Sequence, residues 1–429
     1  MKSFNPLERT IAKTLDRFPQ IKQVAKSTYQ RLNYWYYGDR NFSLALHPRV
    51  KISTPWQWCN VEETKGELFF GYYDKSPWSS DMSKFICHRL QSDRQVEIII
   101  YDRYKQTVEV VATSKTWSSQ QGTMVQWLSN CDDKQIIFND LVEGKLAARI
   151  ISLATKTEDM IPFPIQTLHP NGKEALTLNY KRLARLRPEY GYEVDASNFS
   201  DDLPLTEDGI WHVDLETGKG KLIISLQDLI AYQSRPEMTA AEHKVNHIMY
   251  SPQGSKFVFM HRWLSERGKL SRLYVSDSDG SNLQLLLDEG MISHYSWYDE
   301  AYLLAWARTK AAGDRYYLID VTNGKWQITG KEVLDIYGDG HPSFSPNRRW
   351  IVTDTYPDRS RQQHLLLCDC QTQKTLELGR FFAPLKYSAG QRCDLHPRWS
   401  SDGNIISIDA TYEGKRYSYF IDIAAIVND

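Results

Sequence analysis

The sequence predicts an all-β protein, a seven-bladed β-propeller preceded by a short N-terminal helical segment. Three observations predict it. A strand-turn-strand unit with a Ser-Pro-x-Gly-type turn returns seven times along the chain. Most copies are followed by a further hairpin with a polar turn, which completes four strands per repeat. The composition, with 13 Trp and 25 Tyr, suits many short strands rather than long helices.

Residues 6 to 37 form the one helical stretch. Leu7, Ile11 and Leu15, then Ile21, Ala25, Tyr29 and Leu32, recur at steps of three or four on either side of Pro19, which predicts two short helices. From 1 to 40 there are eight Lys or Arg against three acids, and the segment ends in Tyr34-Trp35-Tyr36-Tyr37. Such a basic amphipathic segment can rest on an anionic membrane surface, or pack on the propeller with its basic face in water. The division expected is residues 1–48 as this segment and 49–429 as the propeller.

The seven copies start at Tyr73, Val125, Leu168, Ile248, Tyr295, His341 and His396, with spacings of 52, 43, 80, 47, 46 and 55 residues. These match a four-stranded blade except for the 80-residue interval, where residues 184 to 208 read as an insertion between strands two and three. After the last copy there is room for only one more strand, RYSYFIDI. The missing outer strand is expected from RVKISTPWQW at 49–58, closing the ring.

A net charge of -1 gives no general attraction to nucleic acid, so no nucleic-acid partner is expected. No Walker A, G-x-G-x-x-G, G-x-S-x-G or H-E-x-x-H motif occurs, and no nucleotide cofactor is expected. Six cysteines contain no C-x-x-C pair, and Cys368 and Cys370 read as thiols sharing one strand face. The first twenty residues lack a secretory apolar core and no eighteen consecutive residues are apolar, so a cytoplasmic protein is the default expectation, with membrane contact possible through residues 1–40.

The repeat register also predicts a functional face. His169, His247, His294, His341 and His396 fall at or just before the first strand of their copies. His88, Tyr180, His261, Asp354, Tyr356, Asp409 and Tyr412 fall at or beyond the end of the second. All are thereby expected at one mouth of the central channel. Asp339-Gly-His341-Pro and Asp394-Leu-His396-Pro repeat a D-x-H-P pattern, and imidazoles beside carboxylates bind zinc, manganese or calcium, with Cys393 as a further donor. The same pattern also suits an ordinary polar turn. Tyr180, Arg182, Arg185, Arg187, Tyr190 and Tyr192 gather where the insertion begins; guanidinium forks bind carboxylates and tyrosine faces stack on sugars, which fits an acidic glycan, while phosphate or a protein partner would satisfy the arginines equally.

The runs VNHIMYSPQGSKFVFMHRW, GDGHPSFSPNRRWIVTDTYPD and CDLHPRWSSDGNIISIDATYEGKRYSYFIDI resemble the TolB-like propellers that include oligogalacturonate lyases and ulvan lyases, and relatives found with surface-polysaccharide genes. The resemblance spans most of residues 60 to 425. It implies β-elimination at a uronic acid, with His341 and His396 on a divalent metal, to which the residues themselves add Asp394 and Cys393 as candidate ligands. It further implies Tyr180 or His247 as base, Arg182 or Arg187 on the carboxylate, and His261 in the catalytic set. His88, Tyr190, Tyr192, Arg262 and Arg398 are the residues expected to contact substrate. The alternative is a non-catalytic glycan-binding or assembly protein of a cell-surface polysaccharide pathway.

Overall fold

Seven antiparallel sheets follow one another along the chain, at 68–114, 126–161, 167–225, 242–287, 292–328, 343–382 and 398–422, numbered here blades one to seven. A computed structural model describes residues 19–92, 95–128, 134–192, 203–265, 268–330 and 334–429. The fold is the seven-bladed propeller that the repeats predict.

The recurring serine explains the repeat. In blades one, four, six and seven the hydroxyl oxygens of Ser79, Ser251, Ser345 and Ser400 accept from the backbone N–H five residues on, at Lys84, Lys256, Trp350 and Ile405, at 2.8–3.1 Å. The intervening turn needs a left-handed residue, filled by Met82, Gly254, Arg348 and Gly403 with φ between 58° and 81°. Glycine takes this conformation with no steric penalty, hence the Ser-x-x-Gly signature.

Middle strands are covered by neighbouring blades on both faces and so read as apolar runs, as in Gln95–Asp102 (QVEIIIYD). The core is accordingly divided into layers between blades. One layer joins Phe85 of blade one, Leu365 of blade six and Ile408 of blade seven, across the seam where the ring closes.

The seam is stitched from the N-terminal side. Lys51, Ile52 and Ser53 pair with Asp422, Ile421 and Phe420, giving blade seven its fourth strand. The strand is shorter than the expected 49–58, because Thr54 caps the helix Pro55–Cys59 in a reciprocal pair of hydrogen bonds with Gln57. Leu44–Leu46, which the sequence places in the N-terminal segment, pairs with Gly379–Phe381 as a fifth strand of blade six.

One helix, Pro19–Tyr37, begins at the proline. The part of the helical expectation before Pro19 lies outside the described residues. Tyr34 packs against Phe382 of blade six, whereas Val24, Leu32, Trp35 and Tyr36 are exposed. No helix among the described residues is long and apolar enough to cross a membrane.

Candidate functional site

The turn register fixes where the histidines fall. His247, His341 and His396 each stand four residues before the turn serines Ser251, Ser345 and Ser400, and His294 stands four before Tyr298 in blade five. Their backbones are bent to aim inward. His247 and His396 adopt left-handed φ of 54° and 45°, and the strand register shifts at His247 and His294. Non-glycine residues in that region and bulges of this kind gather at functional sites.

The four side chains, from blades four to seven, converge. Ring centroids of His294 and His341 lie 4.2 Å apart, His341 and His396 4.3 Å, and His247 and His294 5.9 Å. Tyr72, from the segment after blade one's inner strand, stacks on His247 at 5.1 Å and meets His396 edge-on at 4.9 Å. All five are buried.

Asp354, at the end of blade six's second strand, organises two of them. One oxygen accepts from the His341 backbone N–H and Nδ1–H, both at 2.8 Å, and the other accepts from the His396 backbone N–H at 3.0 Å. His396 Nδ1 donates to the Gly71 carbonyl at 2.7 Å. Each imidazole is thereby fixed as the tautomer whose Nε2 carries a lone pair. Both Nε2 atoms are buried and have no hydrogen-bond partner.

His341, His396 and Asp394 have potential ligand atoms within 4.8 Å of one another. Nδ1 held by a carboxylate or carbonyl, with Nε2 left for the ion, is how metal-binding histidines are oriented, so these residues fit a divalent metal. The electrostatics agree. Burial disfavours the charged form of His341, yet Asp354, then Asp394 and Asp339, outweigh it and raise its pKa; burial and the neighbouring His341 push His396 well below its usual value. The carboxylates around His341 thus favour positive charge at this point of the pocket.

No protein-family model matches the chain, and no curated protein matches it. Solved structures do. Oligogalacturonate lyase from Vibrio parahaemolyticus is 12% identical, covers 89% of this chain and 97% of its own, and superposes with a TM-score of 0.61. An oligogalacturonate lyase in complex with manganese is 14% identical, with coverage of 90% and 95% and a TM-score of 0.60. At these identities the likeness is one of fold.

Among the other expected residues, Tyr190 joins the cluster, edge-on to His247 at 5.3 Å, with the Arg187 guanidinium 5.0 Å from its ring. Arg187 also binds Glu189 at 2.8 Å. Tyr180, Arg182 and Tyr192 instead hold the insertion to its blade. Tyr180 donates to Gln166 at 2.7 Å and stacks on Tyr192, whose hydroxyl accepts from Asn139. Arg182 is paired with Asp208 at 2.6 Å, both buried. The helix Tyr180–Leu186 is capped by Asn179, whose side chain accepts from the Arg182 backbone N–H.

His88 uses both ring nitrogens, on the Phe69 carbonyl and on Thr123, and burial holds its pKa down at about 4. His261 lies against His243 and Trp263 inside blade four. Arg262 borders a cavity beside the cluster. Arg398 is wholly internal, bonded to Asp409 and to the carbonyls of Gly71 and Tyr72. Cys393 turns its sulfur to the carbonyls of Asp394 and Asp409; burial raises its pKa to about 12, so the thiol keeps its proton.

Two expectations are corrected. His169 is not at the mouth: its N–H bonds to the Glu174 carbonyl as Ser251 N–H does to Lys256, so it occupies the turn-serine position at the opposite strand end. The D-x-H-P aspartates do not pair with their own histidines either. Asp339 binds His294 at 3.1 Å and Asp394 binds Arg392, while His341 takes Asp354. Tyr72, Tyr73 and Arg392 were not foreseen. Tyr72 and Tyr73 follow the two-residue strand Leu68–Phe69 and lie outside the histidine register that marks the mouth.

Proposed function

We propose that the chain is a carbohydrate-active propeller whose channel mouth binds an acidic, uronate-bearing oligosaccharide and cleaves it by β-elimination. The observation that carries this is the pair of orphaned Nε2 atoms on His341 and His396 beside Asp394. The fold shared with oligogalacturonate lyases, one of them solved with manganese, supports it by analogy.

A divalent ion held by His341, His396 and Asp394 would withdraw charge from the substrate carboxylate and acidify the proton beside it. His247 is the base this geometry favours. Burial, then Arg262 and the other cluster histidines, keep its pKa well below the ordinary value, so the imidazole is neutral. Its Nδ1 is buried without a partner and Nε2 faces the Tyr72 hydroxyl at 3.4 Å. Nδ1 can take the proton, the freed electron pair forming the carbon-carbon double bond as the bond to the leaving oxygen breaks and that oxygen taking a proton from water. Arg187, resting on Tyr190, contributes positive charge from the insertion side.

Incubating the full chain and manganese with a panel of uronate oligosaccharides is expected to give the ultraviolet absorbance of a new carbon-carbon double bond conjugated to a carboxylate. His247→Ala should abolish it. Silence from every panel member would remove elimination and leave the binding role.

A second reading is favoured by the helix Pro19–Tyr37, where Val24, Leu32, Trp35 and Tyr36 are 61–73% exposed. Here the propeller is a glycan-binding or assembly protein of a polysaccharide pathway, resting on an anionic membrane through that helix. Removing residues 1–43 should then release it from phosphatidylserine vesicles in a sedimentation assay. Equal partitioning of the two forms would rule out this placement.

A further inference from the structure

Beside the histidine cluster, between blades four and five, lies a cavity of about 290 Å³ lined in part by Arg187, Lys244, Arg262, Lys269 and Asp339. Lys244 and Arg262 are directly opposite one another on neighbouring antiparallel strands. Like charges in that relation are destabilising. Both side chains are half-buried in the cavity wall, where partial loss of water opposes their charge.

Neither cation has a carboxylate partner among the described residues. Arg262 spends one Nη on the Ile292 carbonyl at 3.1 Å, and its Nε is buried and unpartnered. Lys244 donates only to the Leu186 carbonyl at 3.2 Å. The nearby acids are engaged elsewhere: Glu189 with Arg187, Glu242 with Arg185, Asp339 with Ser293 and His294. Burial, then Arg187, Arg262 and Lys269, depress the Lys244 pKa to about 6, with Glu189 opposing. Half-buried positive charge gathered around a cavity without carboxylate partners leaves a place for a negative one.

We propose that this cavity is a subsite for a compact oxyanion, carried by the ligand unit next to the one at the histidine cluster, with Lys244 and Arg262 as its binding groups. The identity of the ligand that bears the anion rests on the acidic-glycan reading; the subsite itself does not. The Arg262 charge is also felt at the cluster, where it helps to lower the pKa values of His247 and His294. Carboxylate, sulfate and phosphate share the required chemistry. An anion entering would restore the charge on Lys244, so binding near neutral pH takes up protons.

Calorimetric titration of the full chain, loaded with manganese, with sodium sulfate, sodium phosphate and a galacturonate trimer separates the sources. At least one should bind with proton uptake, read from the dependence of heat on buffer ionisation. Arg262→Met and Lys244→Met should each weaken that binding about tenfold or more, Arg262→Lys should recover part of it, and proton uptake should vanish in Lys244→Met. Binding of sulfate or phosphate but not the trimer would keep the subsite and overturn the uronate reading. Trimer binding that is equal in wild type and both methionine variants would overturn the subsite and leave that reading standing. No binding by any probe would overturn the subsite.

Discussion

Replacing His341 or His396 with alanine is expected to lower manganese affinity by roughly a hundredfold or more, since each removes one ligand of a small set. Asp354→Asn is the sharper test. The amide can still accept from His341, but its second position becomes a donor facing the His396 backbone N–H, which now bonds a carboxylate oxygen at 3.0 Å. The His396 backbone loses its acceptor and the His341 imidazole loses the carboxylate charge behind it, so affinity should fall about ten- to a hundredfold with the ligands themselves intact. Metal content after dialysis and calorimetric titration measure this, and far-ultraviolet circular dichroism checks the fold. If the three variants retained wild-type affinity, the ion would have to sit elsewhere and the proposed chemistry would lose its centre.

Arg398→Met is expected to destabilise the protein by about 3–5 kcal/mol, the range for stripping one partner from a buried ion pair. Arg398 and Asp409 lie 2.7 Å apart with side chains 1% and 4% exposed. Asp409 also accepts from the backbone of Phe70 and Gly71, while Arg398 donates to the carbonyls of Gly71 and Tyr72. The pair therefore clamps the strand exit of blade one to blade seven and sets the Gly71 carbonyl that orients His396. Urea denaturation should show a lower midpoint, and residual folded protein should bind manganese more weakly. A loss below about 1 kcal/mol would mean that the exposed-pair regime applies instead.

The fold was legible because the turn chemistry repeats: a hydroxyl five residues before a backbone N–H, with a left-handed residue between, leaves a readable spacing. The four clustered histidines were legible for the same reason, each having a fixed offset from its turn. His169 misled because a histidine can fill the serine's place, which shifts that repeat by four residues. The partners were not legible. Asp354 reaches His341 across a hairpin and Gly71 reaches His396 across the ring seam, 325 residues away in sequence, and no local pattern records such contacts. The arginines of the insertion looked available because sequence shows charge without its partner; Asp208 claims Arg182 from 26 residues downstream.

Closing the seam with Lys51–Ser53 has a consequence for synthesis. These residues leave the ribosome about 370 positions before their partners at 420–422. At ordinary elongation rates they wait roughly 20 to 75 seconds as an unpaired edge. For most of that time the blades already made form an incomplete ring with an open flank at each end, and His341 and His396 are added only in its last stretch, about 80 and 25 residues before the closing pairs. The last blade to be translated therefore supplies both the partners of the latch and two of the three residues of the candidate ion site, Asp394 and His396.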